Sequence, residues 1–302
     1  MTVARAPGKV VLSGAYSVLS GAPAIVTAVS RYVVADSSRP ATLLTDEVRA
    51  ALAAHEAAPW FDASALREDG RKLGLGSSAA ILVASLCALG LRAEPDLQPA
   101  ELRAKVFERA LLAHRRAQGG GSGVDVAAST FGGTLIYRLD AAGPEISATA
   151  LPAELHFEVW TCPTSSSTPG LLGAVQRLRE QAPAAHARWL GAQAEAAATA
   201  ATCIQQLEAA GLLAALLAQQ RALSGLGRAA GVPIVTPELA QLAPIAEEEG
   251  GVLLPAGAGG GDIALFVGGA PSSSGLRAAL DKCAHRLLRT DLSAPGAETY
   301  MM

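Results

Sequence analysis

The sequence predicts an α+β fold, with strand pairs and helices in irregular order instead of the regular strand–helix–strand alternation of a doubly wound sheet. Three observations carry this. Short apolar runs broken by glycines mark strands near the N-terminus, long Ala/Leu-rich stretches mark helices in the second half, and a strand–glycine loop–strand pattern lies near the end. The 302 residues, half of them hydrophobic and 17% charged, suffice for a large core and about two domains. We divide the chain into 1–152 and 153–302.

The elements follow in order. Residues 3–34 read as strands and turns, "VARAPGKVVLSGAYSVLSG" punctuated by Gly8, Gly14 and Gly21, then "AIVTAVSRYVVA". Thr45 followed by Asp46 and Glu47 opens a helix through about Ala57, since a hydroxyl cap and first-turn acids complement the helix dipole. Residues 77–91 read as a buried helix, and 99–117 as an amphipathic one ending in His114-Arg115-Arg116. A glycine loop, Gly119 to Gly123, leads into Val124-Asp-Val-Ala-Ala and the strand "TLIYRL". After a polar break at 141–143, "LHFEVWT" alternates as a strand and opens the second half. Thr168-Pro169 and Thr236-Pro237-Glu238 each read as a cap with proline at the first helical position. Helical stretches 184–210 and 212–230 lie between them, and "GGVLLPAGAGGGDIALFVGG" follows as strand, glycine loop and strand.

Composition excludes several classes. The most apolar charge-free run, 73–91, is too short and too interrupted by Gly74, Gly76, Ser77 and Ser78 for a membrane span. The start of the chain lacks a secretion signal, and Cys87, Cys162, Cys203 and Cys283 are dispersed with no Cys-x-x-Cys pair, so a reducing cytoplasm is expected and thiolate metal binding is not. A net charge of −3 argues against nucleic acid. Neither nucleic acid nor membrane is therefore expected as a partner, and monomer or homodimer stays open. Of only four lysines, Lys9 and Lys72 adjoin glycine-rich segments. His55, His156, His186 and His285 are isolated and read as structural.

Three glycine-rich segments remain: "APGK" followed by Tyr16, "KLGLGSSAA" from Lys72 to Ala80, and "GAGGGD" from Gly257 to Asp262. Glycines ahead of a helix start, with serine hydroxyls and unpaired N–H groups, describe a place to hold an anion. Taken singly, each also reads as an ordinary turn, a serine cap or a close approach of backbone. None matches the Walker phosphate loop or the dinucleotide fingerprint. In this order they resemble the three motifs of the GHMP small-molecule kinases, over nearly the whole chain. Within that superfamily, "AQGGGSGVDVAAS", "SSSTPGLLGAVQRLRE" from Ser165, "AAGVPIVTPEL" and "GVLLPAGAGGGDIALF" resemble phosphomevalonate kinases of the eukaryotic and plant type. Mevalonate kinases typically carry Gly-Glu-His where Ala15-Tyr16 stand here, and a proline in place of Gly121.

The resemblance implies a two-domain fold, a ribosomal protein S5 domain 2-like N-terminal domain that binds ATP and a ferredoxin-like C-terminal one, with substrates meeting in the cleft between them. It implies ATP and Mg²⁺ as cofactors and a phosphorylated acceptor, mevalonate 5-phosphate. Lys9 and Asp125 would be catalytic, Lys9 as the cation near the transferred group and Asp125 as base or as orienter of Lys9. Lys72, Gly74, Leu75, Gly76, Ser77, Ser78 and Ala79 would bind ATP, with Ser78 the candidate metal ligand. Lys9, Tyr16, Lys72, Ser122, Ser166, Ser167, Gly257, Ala258, Gly259 and Gly260 would bind the acceptor. Two departures stand out: the loop before Asp125 is one residue shorter than the family pattern and lacks its lysine, and His114 stands where mevalonate kinases place a metal-binding acid. A kinase acting on a hydroxyl, of mevalonate or a sugar, and a non-catalytic metabolite binder remain as alternatives.

Overall fold

The computed structural model describes residues 2–54, 56–165 and 168–301. In chain order the first elements are β1 (Thr2–Ser13), β2 (Ala24–Pro40), α1 (Asp46–Ala51), β3 (Pro59–Asp62), β4 (Arg67–Glu68), β5 (Arg71–Lys72), α2 (Ser77–Ala93), α3 (Pro99–Gln118) and α4 (Val124–Phe131). They continue with β6 (Thr134–Leu139), β7 (Pro144–Thr149), β8 (His156–Thr161), α5 (Thr168–Gln181), α6 (Pro183–Gln205), α7 (Ala209–Ala230) and α8 (Pro237–Glu248). The last are β9 (Val252–Pro255), β10 (Ile263–Gly268), α9 (Ser274–Lys282), β11 (Arg286–Leu287) and β12 (Glu298–Met301). The α+β expectation holds. By packing, residues 1–10, 26–135 and 290–302 form one compact unit, and residues 11–25 and 136–289 a second.

In the first unit β12 pairs antiparallel with β1, Arg5 opposite Glu298, and β3 pairs with β2. Helix α2 has no polar face, so it is buried almost all round, with Ala79, Ala80, Leu82, Val83 and Ala84 fully inaccessible. Helices α1, α3 and α4 pack around it. Thr45 caps α1 as its sequence requires, its hydroxyl accepting from Val48 N at 3.3 Å. The helix nevertheless stops at Ala51, short of the expected Ala57, with Leu52 extended. Arg109 of α3 donates two hydrogen bonds to the Ala51 carbonyl, 2.9 and 3.1 Å long, and so satisfies an oxygen that another helical turn would have used.

In the second unit β8, β9, β10 and β11 form an antiparallel sheet in the order β11-β8-β10-β9. Helices α8 and α9 pack on it through Leu239, Leu242, Leu276 and Leu280 against Trp160, Leu253 and Phe266. Thr236 caps α8 by accepting from Leu239 N at 3.3 Å. Helices α5, α6 and α7 pack together, and Tyr16 joins Leu171, Val175, Leu223, Leu226 and Ile234 in their apolar cluster. Among the described residues no helix is long and apolar enough to cross a membrane.

Candidate active site

The first unit brings Lys9, the glycine loop and Asp125 together. Lys9 N donates to the Leu75 carbonyl at 2.8 Å, and its ammonium lies 3.4 Å from the Gly74 carbonyl, so β1 and the loop run side by side. A Cβ at Gly8 would come within 2.8 Å of the Leu75 oxygen, and one at Gly76 within 3.0 Å of Lys9 Cγ and Cε. Gly76 also has φ +74, which a side chain strains to adopt. It is the N-cap of α2, and no side chain caps that helix. The first-turn N–H groups of Ser77, Ser78 and Ala79 therefore have no intrahelical partner and carry the positive end of the helix dipole. Leu75 and Ala79 are fully buried.

Asp125 sits in the first turn of α4, after Gly123 with φ +82. Its Oδ1 accepts from Val126 N at 3.0 Å, and its Oδ2 lies 3.3 Å from His114 Nε2. Burial opposes its ionisation, but His114, then Lys9 and the Val126 N–H, outweigh this and hold its pKa down at about 2. His114 is 3% exposed; burial disfavours its cation, while Asp125 and Glu47 favour it and raise its pKa. Ser122 makes a local contact, its hydroxyl accepting from Val124 N at 3.4 Å. Lys72 is exposed on the β4–β5 hairpin, and among the described residues no hydrogen bond or ion pair joins it to Lys9 or Asp125.

Sequence reasoning missed Glu47. It is buried in the first turn of α1, accepting from Gln118 Nε2 at 3.3 Å and from the Ser78 hydroxyl, with the His114 charge nearby. Burial raises its pKa, but its own N–H, Gln118, Ser78 and His114 more than offset this and keep it ionised. The only sequence signal was its place behind a threonine cap, which reads as helix stabilisation.

In the second unit Tyr16 and the "GAGGGD" loop meet: the Tyr16 hydroxyl donates to the Ala258 carbonyl at 2.6 Å. Tyr16 is buried, and burial pushes its pKa up. Its role toward the loop is a tether. A Cβ at Gly259 would lie 2.2 Å from the Ile234 oxygen and one at Gly261 2.6 Å from the Thr164 oxygen, while Gly260 N donates to Ile234 O at 2.9 Å. Close approach of backbone explains these glycines; Gly257 faces open space. Ser166, Ser167 and His55 lie outside the described residues. His285 is fully buried, and its environment lowers its pKa, as expected of a neutral core histidine.

Lys9 thus lies along a glycine loop at the uncapped start of α2. Residues 50–133 match the GHMP kinases N terminal domain, so the chain carries that domain. The chain is 33% identical over 223 residues to the phosphomevalonate kinase of Streptomyces sp. (strain CL190), a match covering 67% of this chain and 59% of that protein. The chain thus spans less than two thirds of that relative. Its fold is similar to a Lin0012 protein from Listeria innocua, with TM-score 0.85, 23% identity and 99% of each chain covered. It is also similar to Streptococcus pneumoniae phosphomevalonate kinase in complex with phosphomevalonate and AMPPNP, with TM-score 0.78, 18% identity and coverage of 97% and 100%.

Proposed function

We propose that the chain is a kinase that transfers the γ-phosphoryl group of ATP to the phosphate of mevalonate 5-phosphate, giving 5-diphosphomevalonate and ADP. The observation that carries this is Lys9 lying along Gly74–Gly76 at the start of α2, where a cation, backbone N–H groups and a helix dipole converge on one anion position. The likeness to phosphomevalonate kinases, one of them solved with phosphomevalonate and AMPPNP, supports the substrates. In this reading residues 1–152 serve the nucleotide and 153–302 complete the acceptor side, with Tyr16 holding the Gly257–Gly260 loop in shape. Lys72, Ser122, Ser166 and Ser167 would approach the acceptor's phosphate. The protein would act in the cytoplasm.

A phosphoryl acceptor with its own phosphate needs no general base, because its second pKa is near about 6 and the attacking oxygen is already ionised at neutral pH. Asp125 fits that demand: with a pKa of about 2 it is a poor proton acceptor but a firm anchor for Lys9 and His114. The chemical problem is instead repulsion between two anionic substrates, which Lys9 and the N-terminus of α2 offset. Mg²⁺ fits as well. The Ser78 hydroxyl and the carboxylate it donates to are hard oxygen donors. Among the described residues no group of three or more His, Cys, Asp or Glu is placed to hold a metal, so phosphate oxygens would supply most ligands. Bound there, the ion would neutralise charge on the transferred group. ADP release measured across mevalonate, its phosphates and a panel of sugars tests the reading. It predicts turnover with mevalonate 5-phosphate far above the rest, and preference for a hydroxyl substrate would refute it.

A further inference from the structure

In the second unit the apolar cluster around Tyr16 is open along one edge. A cavity of about 400 Å³ lies there, bordered by the turn at 16–20, α5 and the start of α6. Its floor is Leu19, Leu172, Val175 and Leu190, with Tyr16 as one wall. Leu19 is 47% exposed, so apolar surface is bared at a concave place instead of being scattered. The rim is basic. Arg179, in the last turn of α5, and His186, near the start of α6, both border the cavity. Among the described residues neither side chain has a hydrogen bond or an ion pair. Glu180, next to Arg179, accepts instead from Gln176 at 2.9 Å. A cation at the end of α5 complements that helix's dipole, which accounts for Arg179 alone. His186 gains nothing of the kind, because α6 starts at Ala182 with no side-chain cap and presents its positive end to the same rim.

We propose that this cavity binds a phosphate monoester with a short aliphatic body, its head at Arg179 and His186 and its chain over the leucines. A guanidinium matches two phosphate oxygens at once, and an imidazole N–H donates in either protonation state. The acceptor of the proposed reaction carries a hydroxyl and a carboxylate on its chain, for which this floor has no partner. Among the described residues assigned to nucleotide or acceptor, Tyr16 alone borders the cavity. Tyr16 holds φ +64, rare for any residue but glycine, and its hydroxyl donates to the Ala258 carbonyl in the glycine loop. Its ring is thus fixed between cavity and loop, and occupancy of the one is felt at the other. The site does not depend on the kinase reading.

Calorimetry on the full-length protein, with n-hexyl phosphate, inorganic phosphate and 1-hexanol as probes, tests the site. Hexyl phosphate should bind at least about tenfold more tightly than either half alone. Arg179→Gln and Leu19→Ser should each weaken it by about fivefold or more, and Lys9→Met should leave it unchanged. Both rim residues are exposed, so these variants keep the core intact; should one not fold, the other decides. Hexyl phosphate no tighter than inorganic phosphate, or indifferent to either rim substitution, overturns the proposal. So does binding lost in Lys9→Met, which would put the phosphate at the glycine loop of α2. Amide hydrogen exchange at 257–261 should slow when the cavity is filled in wild type and not in Tyr16→Phe. Exchange unchanged in wild type, or slowed equally in Tyr16→Phe, overturns the link through Tyr16.

Discussion

Replacing Asp125 by asparagine separates the anchor from the base. A carboxyl that ordinarily titrates at 3.8 and here at about 2 gains on the order of 2 kcal/mol from being ionised in place. The folded pKa is depressed, so that stabilisation is complete above about 3.8 and is lost as the pH falls through about 2. Asp125→Asn forfeits it at every pH above that range and leaves His114 with Glu47 as its remaining acidic neighbour, so chemical denaturation at neutral pH should show a loss of about 2 kcal/mol. Turnover should suffer much less. With a phosphate acceptor no proton needs removing, so kcat per folded molecule should fall by less than about 10²-fold, the lower end of what a positioned base contributes. Lys9→Met, which removes the cation proposed to face the transferred group, should cost about 10²-fold or more. The assay is initial ADP release with mevalonate 5-phosphate across pH, corrected for the folded fraction. A larger loss in Asp125→Asn than in Lys9→Met would refute the reasoning. So would a carboxylate-like limb in the wild-type profile that the asparagine variant lacks.

Gly76→Val places a β-branched residue at φ +74 and a Cβ 3.0 Å from Lys9 Cγ and Cε, so we expect a stability loss of about 1–2 kcal/mol. ATP affinity by calorimetry should drop at least about tenfold, and normal affinity in the folded variant would remove the loop from the nucleotide site. Tyr16→Phe deletes the 2.6 Å bond to Ala258 and should cost about 1 kcal/mol, raising KM for the acceptor while ATP affinity holds. The two buried histidines should show opposite pH signatures in thermal melts. His114, with its pKa raised above 6.5, stabilises below that value, and the advantage of wild type over His114→Gln should shrink as pH rises. His285, with its pKa lowered, loses stability on acidification, and the advantage of wild type over His285→Leu should shrink as pH falls through 6.5.

Local signals in the sequence carried much of this. Caps at Thr45 and Thr236, the all-apolar α2 and the strand–loop–strand near Gly257 are set by residues close together in the chain, and each element formed where its pattern lies. Nonlocal events were illegible. The end of α1 is decided by Arg109, and β12 finds β1 from the opposite end of the chain. Helix α9, capped by Ser273 accepting from Leu276 N at 3.0 Å, hid behind a run of serines that reads equally as loop. At the site, Lys9, Gly76 and Asp125 stand in glycine-rich surroundings that announce them. Glu47 does not, because its first-turn position looks like helix electrostatics until Ser78, Gln118 and His114 are seen around it. The glycines at 259 and 261 raised the alternative of ligand or backbone, and the carbonyls of Ile234 and Thr164 supply the backbone answer.

The central claim is that the acceptor atom is a phosphate oxygen, and the product reports it directly. Incubation with ATP, Mg²⁺ and mevalonate 5-phosphate, followed by ³¹P nuclear magnetic resonance, distinguishes the two possible bonds. The account predicts loss of the monoester signal and growth of two mutually coupled doublets from a new P–O–P linkage, alongside those of ADP. Two uncoupled monoester signals from one product would place the phosphoryl group on a hydroxyl and contradict it.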